Sequence, residues 1–145
     1  GQKPATEVLE FRHGKADTAV ARSLDLPAGV NVYHFTRLRS VDGKPLALME
    51  NWVRDDITEI TEDGLRRHGP YQPPRDAGGH FRLASQRIGA VVADERQARL
   101  LTAEPGSALV TMERTAVDDA GRSVETGHHV YRADSYSFEM TLVQR

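Results

Sequence analysis

The dipeptide Asp42-Gly43 constrains this chain more than any other feature. An Asp-Gly pair supplies the left-handed backbone that a two-residue hairpin turn needs. It stands between two runs of strand composition. Residues 30–40 carry Val32, Tyr33, Phe35 and Leu38, and residues 45–53 form the returning run. Branched and aromatic side chains of this kind fit a pleated, half-buried surface. With that hairpin in place, the two-residue period of a strand decides which polar side chains can meet.

The rest of the chain is organised around it. Residues 17–24 predict a short helix, with Val20 and Leu24 on one face, ended by Leu26-Pro27-Ala28-Gly29. Residues 58–68 predict a second helix from Ile57, Ile60 and Leu65, stopped by Gly69-Pro70. Three prolines and two glycines make residues 70–79 a loop. Residues 81–92 then read as a strand, and Asp94 as the cap of a helix over residues 95–101. Strands are expected at 108–117, 123–132 and 136–143, the first two joined through the turn at 118–121. In the last, Tyr136, Phe138, Met140 and Leu142 share one parity, opposite Ser137, Glu139 and Thr141. The order is helix, hairpin, helix, strand, helix and three strands. It predicts an α+β domain with a mainly antiparallel sheet rather than an alternating parallel fold.

Composition narrows the function classes. A chain of 145 residues is one domain, and 39% hydrophobic with 28% charged residues is the balance of a soluble globular protein. No apolar run is long enough to span a bilayer and no signal peptide is visible, so a cytoplasmic protein is expected. The first residue is Gly1 rather than Met, so an excised fragment or a tag scar is expected. The lack of cysteine removes disulfides, thiol catalysis and cysteine-ligated zinc. A formal net charge of −2 argues against this domain gripping nucleic acid itself.

Strand parity singles out a constellation. Arg37 and Arg39 share a face with Tyr33 and Phe35, whereas Glu125 shares one with Gly127, His129 and Tyr131. Glu50 lies with Leu48 and Trp52 on the return strand. If these faces meet, two guanidinium groups, two carboxylates, a phenol and an imidazole line one cavity. The arginines then take phosphate or carboxylate, while the glutamates accept from hydroxyl or amine groups. The plainer alternative makes Arg37–Glu50 and Arg39–Glu125 cross-strand ion pairs on a solvated face.

The string Phe-Thr-Arg-Leu-Arg-Ser-Val-Asp-Gly-Lys-Pro-Leu-Ala-Leu-Met-Glu (residues 35–50) resembles the opening hairpin of UTRA domains. These are the effector-binding halves of HutC-like regulators of the GntR type. The resemblance continues in Val-Thr-Met-Glu-Arg-Thr (residues 110–115). It ends in residues 118–138, which look like the closing hairpin, D-x-G-x-x-[IV]-E followed by Y-R-x-D-x-Y-x-F. It implies a chorismate-lyase-like α+β fold and one ligand-binding domain spanning 1–145, with its ordered core from about residue 8. It further implies a homodimer that senses a small anionic metabolite, controls transcription, and touches DNA only through a winged helix-turn-helix that is absent here. The family's arginines for the anionic end match Arg37 and Arg39; its carboxylates and tyrosine for the rest of the ligand look like Glu50, Glu125 and Tyr131. His129 is added as a wall of the pocket. Many relatives that sense sugar phosphates carry Ser-x-Tyr after the first hairpin. Here residues 68–74 read His-Gly-Pro-Tyr-Gln-Pro-Pro, so Tyr71 stands in for the tyrosine and the serine is missing. That weighs against a phosphosugar and leaves a carboxylate or another anion open.

Other chemistries find little footing. His128 and His129 are neighbours and face opposite ways in a strand, and no other histidine pair has ligand spacing, so neither metal nor cofactor is expected. No serine sits in a G-x-S-x-G context and no glycine-rich phosphate loop is present. Two competing functions stay open. The same fold can carry the chorismate-lyase elimination, with Glu125 as an acid, or the domain can be a dimerisation module with a degenerate pocket.

Overall fold

The computed structural model describes residues 3–69 and 81–144. Among the described residues, six antiparallel strands form one sheet, and three short helices pack against it. In chain order the elements are β1 (Pro4–Lys15), α1 (Thr18–Ser23), β2 (Asn31–Val41), β3 (Lys44–Arg54), α2 (Glu62–His68), β4 (Arg82–Val92), α3 (Glu95–Leu101), β5 (Ala108–Val117) and β6 (Ser123–Arg132). Across the sheet they run β1-β2-β3-β6-β5-β4. The expected α+β architecture with an antiparallel sheet is the one observed.

The turn at Asp42-Gly43 forms with φ of 52° and 78°, and Val41 pairs with Lys44 across it. Asp118 builds the second hairpin turn: one carboxylate oxygen accepts from the backbone N–H groups of Ala120 and Arg122, the other from the Arg122 guanidinium. Asp94 caps α3 in a reciprocal box with Gln97, and α3 keeps its expected bounds.

Two faces of the sheet are covered differently. On one face, Leu65 of α2 and Ile60 before it pack on Tyr33, Phe35 and Val53. On the other, α3 buries Ala98 and Leu101 against Leu48, Leu109 and Val130, while α1 sets Val20 and Leu24 on Val32. Burying a leucine such as Leu101 fully is worth roughly 1.5–3 kcal/mol, so each helix is held mainly by its apolar stripe.

Three expectations need correction. β1 was not expected. It pairs with β2 along its length, but a bulge between Val8 and Glu10 places Leu9 and Glu10 on the same side, which breaks the alternation that announces a strand. The second helix starts four residues later than residue 58, because the Thr61 hydroxyl accepts from Gly64 N–H and so caps it there. The strand expected over 136–143 does not form. β6 lies between β3 and β5, and after the turn that follows it residues 136–144 pair with no strand among the described residues.

Candidate functional site

The face that carries α2 also carries a polar cluster, assembled by register. Directly opposed residues of antiparallel strands point the same way. Arg37 faces Met49, Met49 faces His129, and Asn51 faces Gly127, which faces Arg114. Glu125 sits opposite Val53 on one side and Ala116 on the other. Arg39, Ala47 and Tyr131 make a further row at the rim, where Arg39 is exposed.

Four of these polar groups are almost wholly withdrawn from water: Glu125 is 1% exposed, Asn51 2%, His129 4% and Arg37 9%. Asn51 is the hub. Its amide nitrogen donates to Glu125 Oε2 at 3.0 Å, and its Oδ1 accepts from Arg37 Nη2 at 3.2 Å and from His129 Nε2 at 3.2 Å. The opposite orientation of the amide would aim N–H at the guanidinium and oxygen at the carboxylate, so the network fixes it. It also fixes the tautomer of His129, which must carry its proton on Nε2 to donate. Burial holds the imidazole neutral, lowering its pKa to about 3, and the nearby charges of Arg114 and Arg37 add to the effect. Burial likewise raises the pKa of the Tyr131 phenol, and Tyr136 acts in the same direction.

Three buried atoms of the cluster have no hydrogen-bond partner among the described residues: Glu125 Oε1, His129 Nδ1 and Arg114 Nε. Arg114 Nε and Glu125 Oε1 approach only to 3.9 Å, close enough for attraction and too far for a hydrogen bond. Buried polar atoms left in this state cost on the order of 1–3 kcal/mol each. A ligand that brings both acceptors and donors to this face recovers that energy. The arrangement offers cationic donors for an anion beside acceptors for hydroxyl or amine groups, with no nucleophile poised among them.

The structure therefore brings together Arg37, Glu125, His129 and Tyr131, with Arg39 at the edge. It does not bring Glu50 to them. A strict two-residue turn pairs Arg37 with Leu48, but a bulge after Ser40–Pro45 shifts the pairing, so that Arg39 meets Ala47 and Arg37 meets Met49. One residue of slip turns every following side chain over. Glu50 consequently lies opposite Thr36 on the far face. There its Oε2 accepts from His34 Nε2 at 2.7 Å, while His34 Nδ1 lies 2.9 Å from the Arg12 guanidinium and the ring stacks on Trp52. The hydrogen bond from His34 keeps the Glu50 carboxyl below its ordinary pKa in spite of partial burial. This set lines a groove of about 590 Å³ beside Lys15 and Asp17. The cross-strand pairs Arg37–Glu50 and Arg39–Glu125 do not form; the buried carboxylate answers to Asn51 and Arg114 instead. Tyr71 and the loop expected at 70–79 lie outside the described residues.

Sequence reasoning missed Asn51, Arg114 and Gly127. The signal for Gly127 is steric. A Cβ there would stand 2.9 Å from Asn51 Nδ2 and 3.2 Å from Arg114 Cγ, so only glycine lets the hub reach Glu125. Among the described residues no three His, Asp or Glu side chains gather as a metal ion requires, and no helix is long and apolar enough to cross a membrane.

Comparison with known proteins agrees with this architecture. The profile of the UTRA domain matches residues 1–137. An HTH-type transcriptional regulator from Streptomyces coelicolor is 31% identical over 140 residues, covering 88% of this chain and 51% of its own. The chain thus spans about half the length of that relative. Among solved structures, a transcriptional regulator from Streptomyces coelicolor superposes with a TM-score of 0.88 at 36% identity, over 100% of this chain and 97% of that one. The ligand-binding domain of a GntR-family regulator from Bordetella bronchiseptica gives 0.84 at 25% identity, over 97% and 90%. The sheet and its helices are those of the chorismate-lyase-like fold.

Proposed function

The chain belongs to the UTRA domain family, and from that premise we propose that it is the effector-binding part of a cytoplasmic GntR-type regulator of the HutC branch. It binds a small anionic metabolite and does not turn it over. The observation that carries this reading is the buried Glu125 carboxylate, one oxygen held by Asn51 and the other without a hydrogen bond, flanked by Arg37, Arg114 and neutral His129. Such a site takes a ligand with a carboxylate or phosphate at one end and a hydroxyl or amine at the other. Tyr71 belongs to the same proposed set, standing in for the tyrosine of the family's Ser-x-Tyr piece.

The function of binding is regulatory. The domain works as a homodimer, and the ligand favours one arrangement of the two copies over another, which the attached DNA-binding heads read. It acts only through a difference in affinity between those arrangements. Thermal-shift screening of the domain against small carboxylic acids, amino-acid catabolites and sugar phosphates tests the site. A rise in melting temperature with one such anion, lost in both Arg37→Ala and Glu125→Gln, is expected. An equal rise in wild type and Arg37→Ala would remove Arg37 from the site.

A further inference from the structure

Arg114 and Glu125 stand in an unfinished relation. Arg114 lies on β5 opposite Gly127, and its stem crosses the space that the missing side chain leaves: a Cβ at Gly127 would meet Arg114 Cγ at 3.2 Å. Arg114 Nε thereby comes to 3.9 Å from Glu125 Oε1. Both atoms are buried, and neither has a hydrogen-bond partner among the described residues. Glu125 is 1% exposed, and its other oxygen is taken by Asn51 at 3.0 Å. A donor and an acceptor of opposite charge thus face each other across a gap too wide for a direct bond.

The gap sets a chemical condition on what enters it. An oxygen at about 2.8 Å from each atom bonds to both, provided that it accepts from Nε–H and donates to the carboxylate. A hydroxyl does both. An ammonium has donors only. It would satisfy Glu125 Oε1, leave Arg114 Nε unpaired, and add a positive charge beside Arg37 and Arg114. A methylene would leave both buried atoms without partners. The same two guanidinium groups help burial to keep the His129 imidazole uncharged, so this cluster already turns one cation away. His129 Nδ1 is a second buried acceptor without a partner. Its ring proton sits on Nε2, where it is given to Asn51, so Nδ1 is free to receive from another hydroxyl.

We propose that Arg114 and Glu125 bracket one hydroxyl of the ligand, which makes Arg114 a specificity-determining residue and the effector a hydroxylated acid rather than an amino acid. The proposal rests on the sensing role stated above and narrows it: that role admits a hydroxyl or an amine at this end, and the gap admits the hydroxyl. The acidic end goes to Arg37 and Arg39, while Nε of Arg114 serves the neutral end. A site built to pair with a hydroxyl rejects the analogue that lacks it far more strongly than an apolar pocket rejects a missing methylene, because its buried polar groups are left unmatched.

Three-carbon acids supply matched probes. Glycerate carries two hydroxyls, serine and isoserine replace one or the other by an amine, and propionate lacks both. Gluconate and hexanoate repeat the contrast on a longer chain. Ligand-dependent melting gives apparent dissociation constants for wild type, Arg37→Ala, Arg114→Met and Arg114→Lys. Wild type is expected to bind the hydroxylated member of a series at least about tenfold more tightly than its amine or deoxygenated counterparts. In Arg114→Met that ratio is expected to fall to within about twofold. Arg114→Lys keeps a charge beside Glu125, which guards the fold, and is expected to recover part of the ratio. If Arg114 only steadied Glu125, its loss would weaken every probe alike and leave the ratio in place; an unchanged ratio in both variants overturns the proposal. Serine, isoserine or propionate binding as tightly as glycerate, and only with Arg37 present, overturns it too while the sensing site stands. No response to any probe, or responses that persist in Arg37→Ala, would remove the sensing site and this assignment with it.

Discussion

Asn51 donates its side-chain amide to Glu125 at 3.0 Å, and that bond joins the first hairpin of the sheet to the last. The two residues are 74 positions apart in sequence, and both are almost fully buried. A buried carboxylate is tolerated only where donors surround it. Asn51 supplies one donor and, through its oxygen, holds Arg37 and His129 in place around the same carboxylate.

Asn51→Ala removes three hydrogen bonds together and leaves a carboxylate, a guanidinium nitrogen and an imidazole without that partner. The expected cost is about 2–4 kcal/mol of unfolding free energy, more than truncation of an asparagine on a surface. Urea melts of wild type and variant measure it. A loss below about 0.5 kcal/mol would mean that water or a neighbour replaces the amide at little expense, and the hub would lose its role.

His129 makes stability depend on pH in a stated window. Its pKa is about 3 in the folded protein against an ordinary value of 6.5, so between those values the unfolded chain binds a proton that the folded one refuses. Stability from this residue is whole above pH 6.5 and falls as pH drops toward 3, by about 1.4 kcal/mol for each unit below 6.5. His129→Gln lacks the titrating group. Its melting temperature is expected to fall less between pH 7 and pH 5.5 than that of wild type; parallel curves would show that His129 is protonated inside the fold.

How much of this was legible in the sequence depends on where backbone irregularities fall. Asp42-Gly43, the Asp94 cap and the strand parity of β6 are local signals, and each led to the right element. Glu125, His129 and Tyr131 were placed on one face because β6 keeps regular pairing with β3 throughout. Glu50 was misplaced because a single bulge near Pro45 turns the return strand over, and nothing in residue spacing announces one extra residue in a ladder. The same kind of bulge hid β1. Asn51 went unnoticed because an asparagine between Glu50 and Trp52 reads as an exposed polar position until the register is known. Arg114 and Gly127 belong to strands remote from the first hairpin, and only the sheet order makes them its neighbours.

Gly127→Ala tests the steric part of the design. The added methyl would press on the Asn51 amide at 2.9 Å and on Arg114 at 3.2 Å, in a place where both are held by neighbouring strands. Overpacking of this kind typically costs about 1–3 kcal/mol. The anion-induced thermal shift is expected to vanish with it, since the hub has to move away from Glu125. Gly14→Ala is the comparison, because no heavy atom stands within 4 Å of a Cβ built there. Its melting temperature should stay within a degree or two of wild type.

Glu50 and Glu125 offer the sharpest test of the register. Both are glutamates on adjacent, paired strands, and both fall in the strings that resemble the family's ligand-binding motifs. They point to opposite faces, Glu50 to His34 and Glu125 to Asn51. If the ligand sits where the buried, incompletely bonded carboxylate is, Glu125→Gln abolishes the anion-induced thermal shift by removing the charge that orders the cluster. Glu50→Gln leaves that shift within about twofold in apparent affinity, and its own effect is limited to the half-exposed contact with His34, worth roughly 0–1 kcal/mol. The two variants are nearly isosteric with wild type, so misfolding does not blur the comparison. Equal loss of the response in both would mean that the ligand reaches the far face, through the groove beside Trp52, and the assignment of the site to the Asn51 side of the sheet would have to be abandoned.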